Sequence, residues 1–163
     1  MHMQPEQQRY LRLETSVSMG VNALLSMVAT WIVFGGATMV AWSSGDKNLL
    51  ADAMPHAFAV AAMGTLVPTY LTRRRLRTAK VPHDPHLPAI TWLPSFLWLR
   101  ALVIAVEMGA LGYALHRYIL MPFVPAHWPM AQVYAFKALY GALISLPATS
   151  IAVRAALGDR LPV

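Results

Sequence analysis

Four stretches of this chain are long, apolar and almost free of charge, and they restrict its fold more than any other feature. No charged residue occurs between Glu14 and Asp46, or between Asp52 and Arg73. Glu107 is the one charge inside the third stretch, and Lys137 the one inside the fourth. A hydrocarbon core about 30 Å thick needs roughly 20 apolar residues in a helix, and each stretch is long enough. Composition agrees: 12% of the 163 residues are charged, against about 25% in a typical soluble domain. The expected fold is an all-α integral membrane protein. It is a single membrane domain, a four-transmembrane-helix bundle with spans at approximately 16–42, 50–72, 95–120 and 129–153. The first run exceeds a signal-peptide h-region of roughly 7–15 residues, so it reads as a retained anchor.

The basic residues orient the bundle. Arg9 and Arg12 precede the first span, and Arg154 and Arg160 follow the fourth. Arg73, Arg74, Arg75, Arg77, Lys80 and Arg100 surround the loop 73–94 between the second and third spans. Ten Lys and Arg thus lie on one side, two (Lys47, Arg117) on the other, and Lys137 within a span. Cytoplasmic loops are the basic ones, which places both termini inside and the protein in the bacterial inner membrane. Arg73, Arg74, Arg75, Arg77 and Lys80 are topology determinants that can also contact anionic lipid. The net charge of +6 is therefore assigned to topology, and no nucleic-acid partner is expected. Trp42, Trp92, Trp98 and Trp128 fall near span ends, where indoles favour the interface.

Helices in lipid associate through close backbone approach and polar contacts. Each span carries small or polar residues at four-residue spacing: Ser18, Asn22, Ser26 and Thr30; Ala53, Ala57, Ala61 and Thr65; Ala101, Ala105 and Gly109; Gly141, Ser145 and Thr149. These faces should form the bundle interior. Asn22 could also line a pathway, because its amide needs partners for donors and acceptor alike. Pro68 and Pro147 should each kink a helix and leave a carbonyl one turn earlier in need of a donor. The second and fourth spans share an order of Ala-Phe, glycine, proline and a basic end, which suggests two duplicated helical hairpins in parallel orientation.

Glu107 and Lys137 are the unusual charges. Glu107 lies roughly 15 Å from the cytoplasmic end of its helix, and Lys137 about 12 Å from the outer end of its own. Those depths nearly coincide, and consecutive spans are usually neighbours. A lone charge near the bilayer centre costs about 2.5–3.5 kcal/mol, so a Glu107–Lys137 pair is expected. Tyr134 and Tyr140, three residues either side of Lys137, can offer hydroxyls or a ring face to the ammonium. Such a pair serves either as a staple between helices or as a coupling site for a transported ion.

A second polar cluster is expected at the outer side. Asp52 and His56 are four apart on one helical face, His116 and Arg117 end the third span, and His127 precedes the fourth. His56 and His116 could supply axial imidazoles to a haem or pigment, or a hydrogen bond to a quinone. With Asp52 and His127 they could form a metal centre. His83 and His86 lie in a solvated loop where a metal is not expected, and Glu14, two residues from Arg12, sits at the cytoplasmic boundary. The chain has no cysteine, which excludes disulfides and thiolate ligands. It shows no phosphate loop, HExxH or GxSxG, so no enzymatic activity is expected.

Three functions follow. The first is a permease or channel for an ion or small solute, using Asn22, Glu107 and Lys137. The second is a non-catalytic accessory or assembly subunit of a larger membrane complex. The third is a haem-, pigment- or quinone-binding subunit using His56 and His116. Partners are the lipid bilayer and either further copies of the chain or other subunits.

Overall fold

A computed structural model describes residues 3–82, 90 and 92–159. Among them are four long helices: α1 (Pro5–Phe34), α2 (Leu49–Arg77), α3 (Leu97–Ala114) and α4 (Met130–Leu157). After α3 the chain winds into a wider π turn over Leu115–Leu120 and a 3-10 turn over Met121–Phe123. Two short strands, β1 (Met39–Ala41) and β2 (His127–Pro129), pair antiparallel with Val40 opposite Trp128. By length and composition, four helices are long and apolar enough to cross a membrane.

Local chemistry sets the boundaries. Pro5 occupies the first position of α1, where its missing N–H costs nothing. Gly35 and Gly36 end the helix, Gly36 with φ +89°, a conformation open to glycine at little cost. The first helix therefore ends eight residues short of the expected span 16–42, and the remainder becomes a turn and β1. Asn48 caps α2, its Oδ1 accepting from the Ala51 N–H at 2.8 Å. Arg73, Arg74, Arg75 and Arg77 belong to the end of α2 rather than to a loop, where cations complement the helix dipole.

All four expected packing faces are buried. Ser18, Asn22, Ser26 and Thr30 are at most 8% exposed, and Ala53, Ala57, Ala61 and Thr65 are fully buried. Ala101, Ala105 and Gly109 in α3, and Gly141, Ser145 and Thr149 in α4, are buried as well. The opposite face of α1 exposes Leu13, Val17, Val21, Leu24, Val28 and Ile32. Polar groups inside and apolar groups outside invert the pattern of a water-soluble helix.

The helices do not pair in chain order. α1 lies along α4, α3 lies along α2, and α2 and α4 meet at the centre. α1 touches α2 sparsely, and α3 touches α4 sparsely. Glycines permit the tightest crossings: a Cβ on Gly141 would fall 2.9 Å from the Asn22 carbonyl oxygen and onto Ser26. One on Gly112 would fall 2.8 Å from the Ala57 Cβ. Pro68 leaves the Gly64 carbonyl without its helical donor, and the Thr149 hydroxyl from α4 donates to it at 2.9 Å.

Buried Ala53, Ala57, Thr65, Thr69 and Leu76 of α2 correspond to buried Val133, Lys137, Ser145, Thr149 and Ala156 of α4, each 80 positions later. The shared Ala-Phe, glycine and proline recur instead at spacings of 77–79 residues.

Candidate functional site

The end of the molecule opposite the arginines carries a buried charge cluster. Asp52 lies in the first turn of α2, where a carboxylate faces the positive end of the helix dipole. His56 follows one turn later. From α4, the Lys137 ammonium reaches Asp52 Oδ2 at 2.5 Å. His56 Nδ1 is 3.7 Å from the same oxygen, and His56 Nε2 is hydrogen-bonded to the Ser26 hydroxyl of α1 at 3.0 Å. α2 and α4 thus meet at the Asp52 carboxylate, and α1 joins the cluster through His56. The Lys137 side chain is fully buried and that of Asp52 is 15% exposed, so the acid is the accessible member of the pair.

Aromatic rings back this cluster. Tyr140 holds its ring centroid 5.7 Å from the Lys137 ammonium, and its hydroxyl points at the Ala53 carbonyl at 3.5 Å. Its ring packs against His56 at 5.8 Å and edge-on to His116 at 4.7 Å. His116 Nδ1 faces the Gly112 carbonyl at 2.8 Å. A carbonyl only accepts, so the neutral ring carries its proton on Nδ1. Nε2 then has no partner among the described residues. Trp42 stacks on the other face of this region, 5.4 Å from His116. Trp42 is 2% exposed, a wall of the cluster and not the interfacial indole expected from the sequence.

A cleft of about 250 Å³ lies between α1 and α2, which touch sparsely. Asn22, Leu25, Ser26, Asp52, His56 and Met63 line it. Asn22 Nδ2 donates to the Ser18 carbonyl at 2.9 Å and to the Ser18 hydroxyl at 3.1 Å. Its Oδ1 is buried without a partner among the described residues. The site therefore offers a carboxylate, an imidazole, a hydroxyl and an amide oxygen at the edge of an apolar slot. That is a set suited to receiving a small solute or a proton.

Several expectations change. The Glu107–Lys137 pair does not form: Glu107 lies on the exposed face of α3 beside Val106, and Lys137 binds Asp52. The reason is topological, since α3 packs on α2 and barely meets α4. Tyr134 is half-buried and takes no part in the cluster's hydrogen bonds, whereas Tyr140 does. The two clusters read from the sequence merge, with Asp52, His56, His116, Lys137 and Tyr140 in one place. His127 is left out, exposed on β2. No three His, Asp or Glu side chains among the described residues converge as metal ligands. His56 and His116 pack on one tyrosine ring instead of facing each other across a planar slot. His83 and His86 lie outside the described residues.

The arginine-rich end is also more structured than the charge count suggests. Asp159, after α4, binds Arg73 through Nη2 at 2.7 Å and Arg100 through Nη2 at 2.6 Å. Arg75 bonds Glu14, and Tyr10 joins both helices through Thr72 at 2.9 Å. Arg73 and Arg75 are thus occupied within the fold, and Arg74, Arg77 and Lys80 remain exposed. Asp159 and Ser26 were not singled out as chemical groups by the sequence. Ser26 carried only its helical spacing, and Asp159 carried no signal.

Comparison with known proteins finds no matching family model, no matching curated protein and no matching solved structure.

Proposed function

We propose that the chain is a multi-pass protein of the bacterial inner membrane, with both termini cytoplasmic, built from two duplicated hairpins. We further propose that it is a permease for an ion or small solute, whose binding site is the Asp52–His56–Lys137 cluster. The observation that carries this reading is the placement of Asp52, partly exposed at the α1–α2 cleft while Lys137 balances its charge from behind. Charged groups within apolar spans are expensive, and they mark substrate or ion pathways. The outward apolar face of α1 suits hydrocarbon, and the ten basic residues collected at one end suit the cytoplasmic leaflet. No covalent chemistry is assigned to the site.

The test is reconstitution into liposomes. Sodium and potassium are followed with trapped dyes, and glycerol and urea by light-scattering swelling. The wild type should pass at least one probe about tenfold faster than protein-free liposomes, and Asp52→Asn should remove that excess. Rates equal to those of protein-free liposomes for every probe, protons included, would overturn the reading.

One observation favours a second role. Glu107 is a carboxylate on the exposed face of an apolar helix, and such a group is costly unless another polypeptide covers it. That suits a homo-oligomer or a subunit of a membrane complex, in which the same bundle would be an accessory component.

A further inference from the structure

The interior of the bundle holds a file of polar groups running from the Asp52 cluster to the arginine-rich end. α1 sets Glu14, Ser18, Asn22 and Ser26 on one buried face, and each four-residue step advances about 6 Å along the axis. At the Asp52 end, the links are Lys137 to Asp52, and His56 to Ser26 at 3.0 Å. One level along, Asn22 bonds Ser18 at 3.1 Å, and Ser18 bonds Thr149 at 2.7 Å. At the far end, Tyr10 bonds Thr72 at 2.9 Å and Arg75 at 3.1 Å, and Arg75 bonds Glu14. A carboxylate thus stands at each end, with hydroxyls between them.

Buried polar atoms that lack a partner lie along the same file. Asn22 Oδ1 falls between the levels of Ser26 and Ser18, and the Thr65 and Thr69 hydroxyls lie along α2 before Thr72. All three atoms are without a partner among the described residues, on side chains of residues at most 3% exposed. In native proteins such atoms almost always hold a hydrogen bond to protein or to ordered water. A buried water typically makes about three such bonds. Three of the six partnerless buried atoms among the described residues lie along this file, and the other three, on Trp42, His116 and Trp128, lie in the aromatic group behind Asp52.

We infer that this file is a proton route between Asp52 and Glu14. The inference rests on the membrane permease reading and specifies the proton as one transported species. A proton arriving from the cleft is held by the Asp52 carboxylate or the His56 imidazole. It passes to the Ser26 hydroxyl, which accepts it on one side and releases its own on the other, and water carries it past Asn22. The Asn22 amide cannot pass a proton through itself, so its role is to hold that water through Oδ1. From Ser18 the Thr149 hydroxyl must turn away from the Gly64 carbonyl to hand the proton to water held by Thr65 and Thr69, which leads on to Thr72 and Tyr10. The last step to Glu14 also runs through water, because the Arg75 guanidinium that bonds both Tyr10 and Glu14 cannot give up a proton. One proton enters, one leaves, and no bond order or oxidation state changes.

Pyranine trapped in phosphatidylcholine–phosphatidylglycerol liposomes reads the flux, driven by a potassium gradient with valinomycin. The wild type should move protons about tenfold faster than protein-free liposomes. Asp52→Asn should abolish the excess, and Ser26→Ala and Thr69→Val should lower it severalfold. Leu143→Ala, on the exposed face of α4, should leave it unchanged. Helical circular dichroism and gel-filtration profile identify any variant that has lost its fold, and the remaining variants decide. Wild-type proton flux at the protein-free level, with glycerol, urea, sodium or potassium still transported, overturns the route and leaves the permease reading standing. Folded Ser26→Ala and Thr69→Val proteins that both conduct as wild type also overturn it. Absence of flux for every probe removes both.

Discussion

The Lys137 ammonium lies 2.5 Å from the Asp52 carboxylate, joining α4 to α2, whereas Glu107 faces outward from α3. The charge buried deepest in the fourth helix is thus neutralised by the first turn of the second. This relationship places the site at the end of the bundle opposite the arginines, and it supplies the first prediction.

Removing one member of a buried pair leaves the other uncompensated, at a cost of about 3–5 kcal/mol. Lys137→Ala and Asp52→Ala should each destabilise the bundle, with the double variant costing at least about 1 kcal/mol less than their sum. The comparison cycle of Glu107→Ala with Lys137→Ala should be additive within about 0.5 kcal/mol. Unfolding in mixed detergent micelles, followed by circular dichroism, measures both cycles.

Gly141→Ala should destabilise by about 1–3 kcal/mol through overpacking, since its Cβ would lie 2.9 Å from the Asn22 carbonyl oxygen. Gly20 has no atom within 4 Å of an added Cβ. Gly20→Ala should therefore be neutral or stabilise by up to about 1 kcal/mol, the ordinary helix-propensity gain. The same unfolding assay separates the two glycines.

Asp159 holds Arg73 and the nearly fully buried Arg100. Asp159→Ala should cost about 3 kcal/mol by leaving a buried guanidinium unpaired. Arg74→Ala, on an exposed residue, should stay within about 0.5 kcal/mol of wild type. Equal losses for the two variants would show that Asp159 does not act as the clamp.

The chain has no native cysteine, so single cysteines report topology directly. Under the proposed orientation, Lys80→Cys should react with an impermeant maleimide only in inverted vesicles. Asp46→Cys should react in intact spheroplasts. The opposite labelling pattern would reverse the orientation.

Much of the fold was legible because it is local. Four long apolar runs almost free of charge dictate four helices, and four-residue spacing of small and polar residues marks their buried faces. Ser18, Asn22, Ser26 and Thr30 fell inside as the spacing implied. The freed carbonyl before Pro68 also found a donor, as proline's missing N–H requires. The end of α1 was misplaced because an apolar run continues through Gly35 and Gly36 to Trp42. Hydropathy does not see that the backbone turns there.

The candidate site was legible as a set of residues and not as a set of contacts. Asp52, His56, His116, Lys137 and Tyr140 stand out as polar or ionisable groups in apolar surroundings, a property each carries in its own sequence neighbourhood. Which carboxylate meets Lys137 depends instead on which helices touch, and that is decided across the whole chain. Chain order favours α3 beside α4. Close approach at Gly112 and Ala57 joins α3 to α2, and that at Gly141 and Ser26 joins α1 to α4. Sequence thus determined the helices, their inward faces and the cost of their buried charges. Tertiary packing alone chose Asp52 over Glu107, because the helices meet where their backbones can approach most closely.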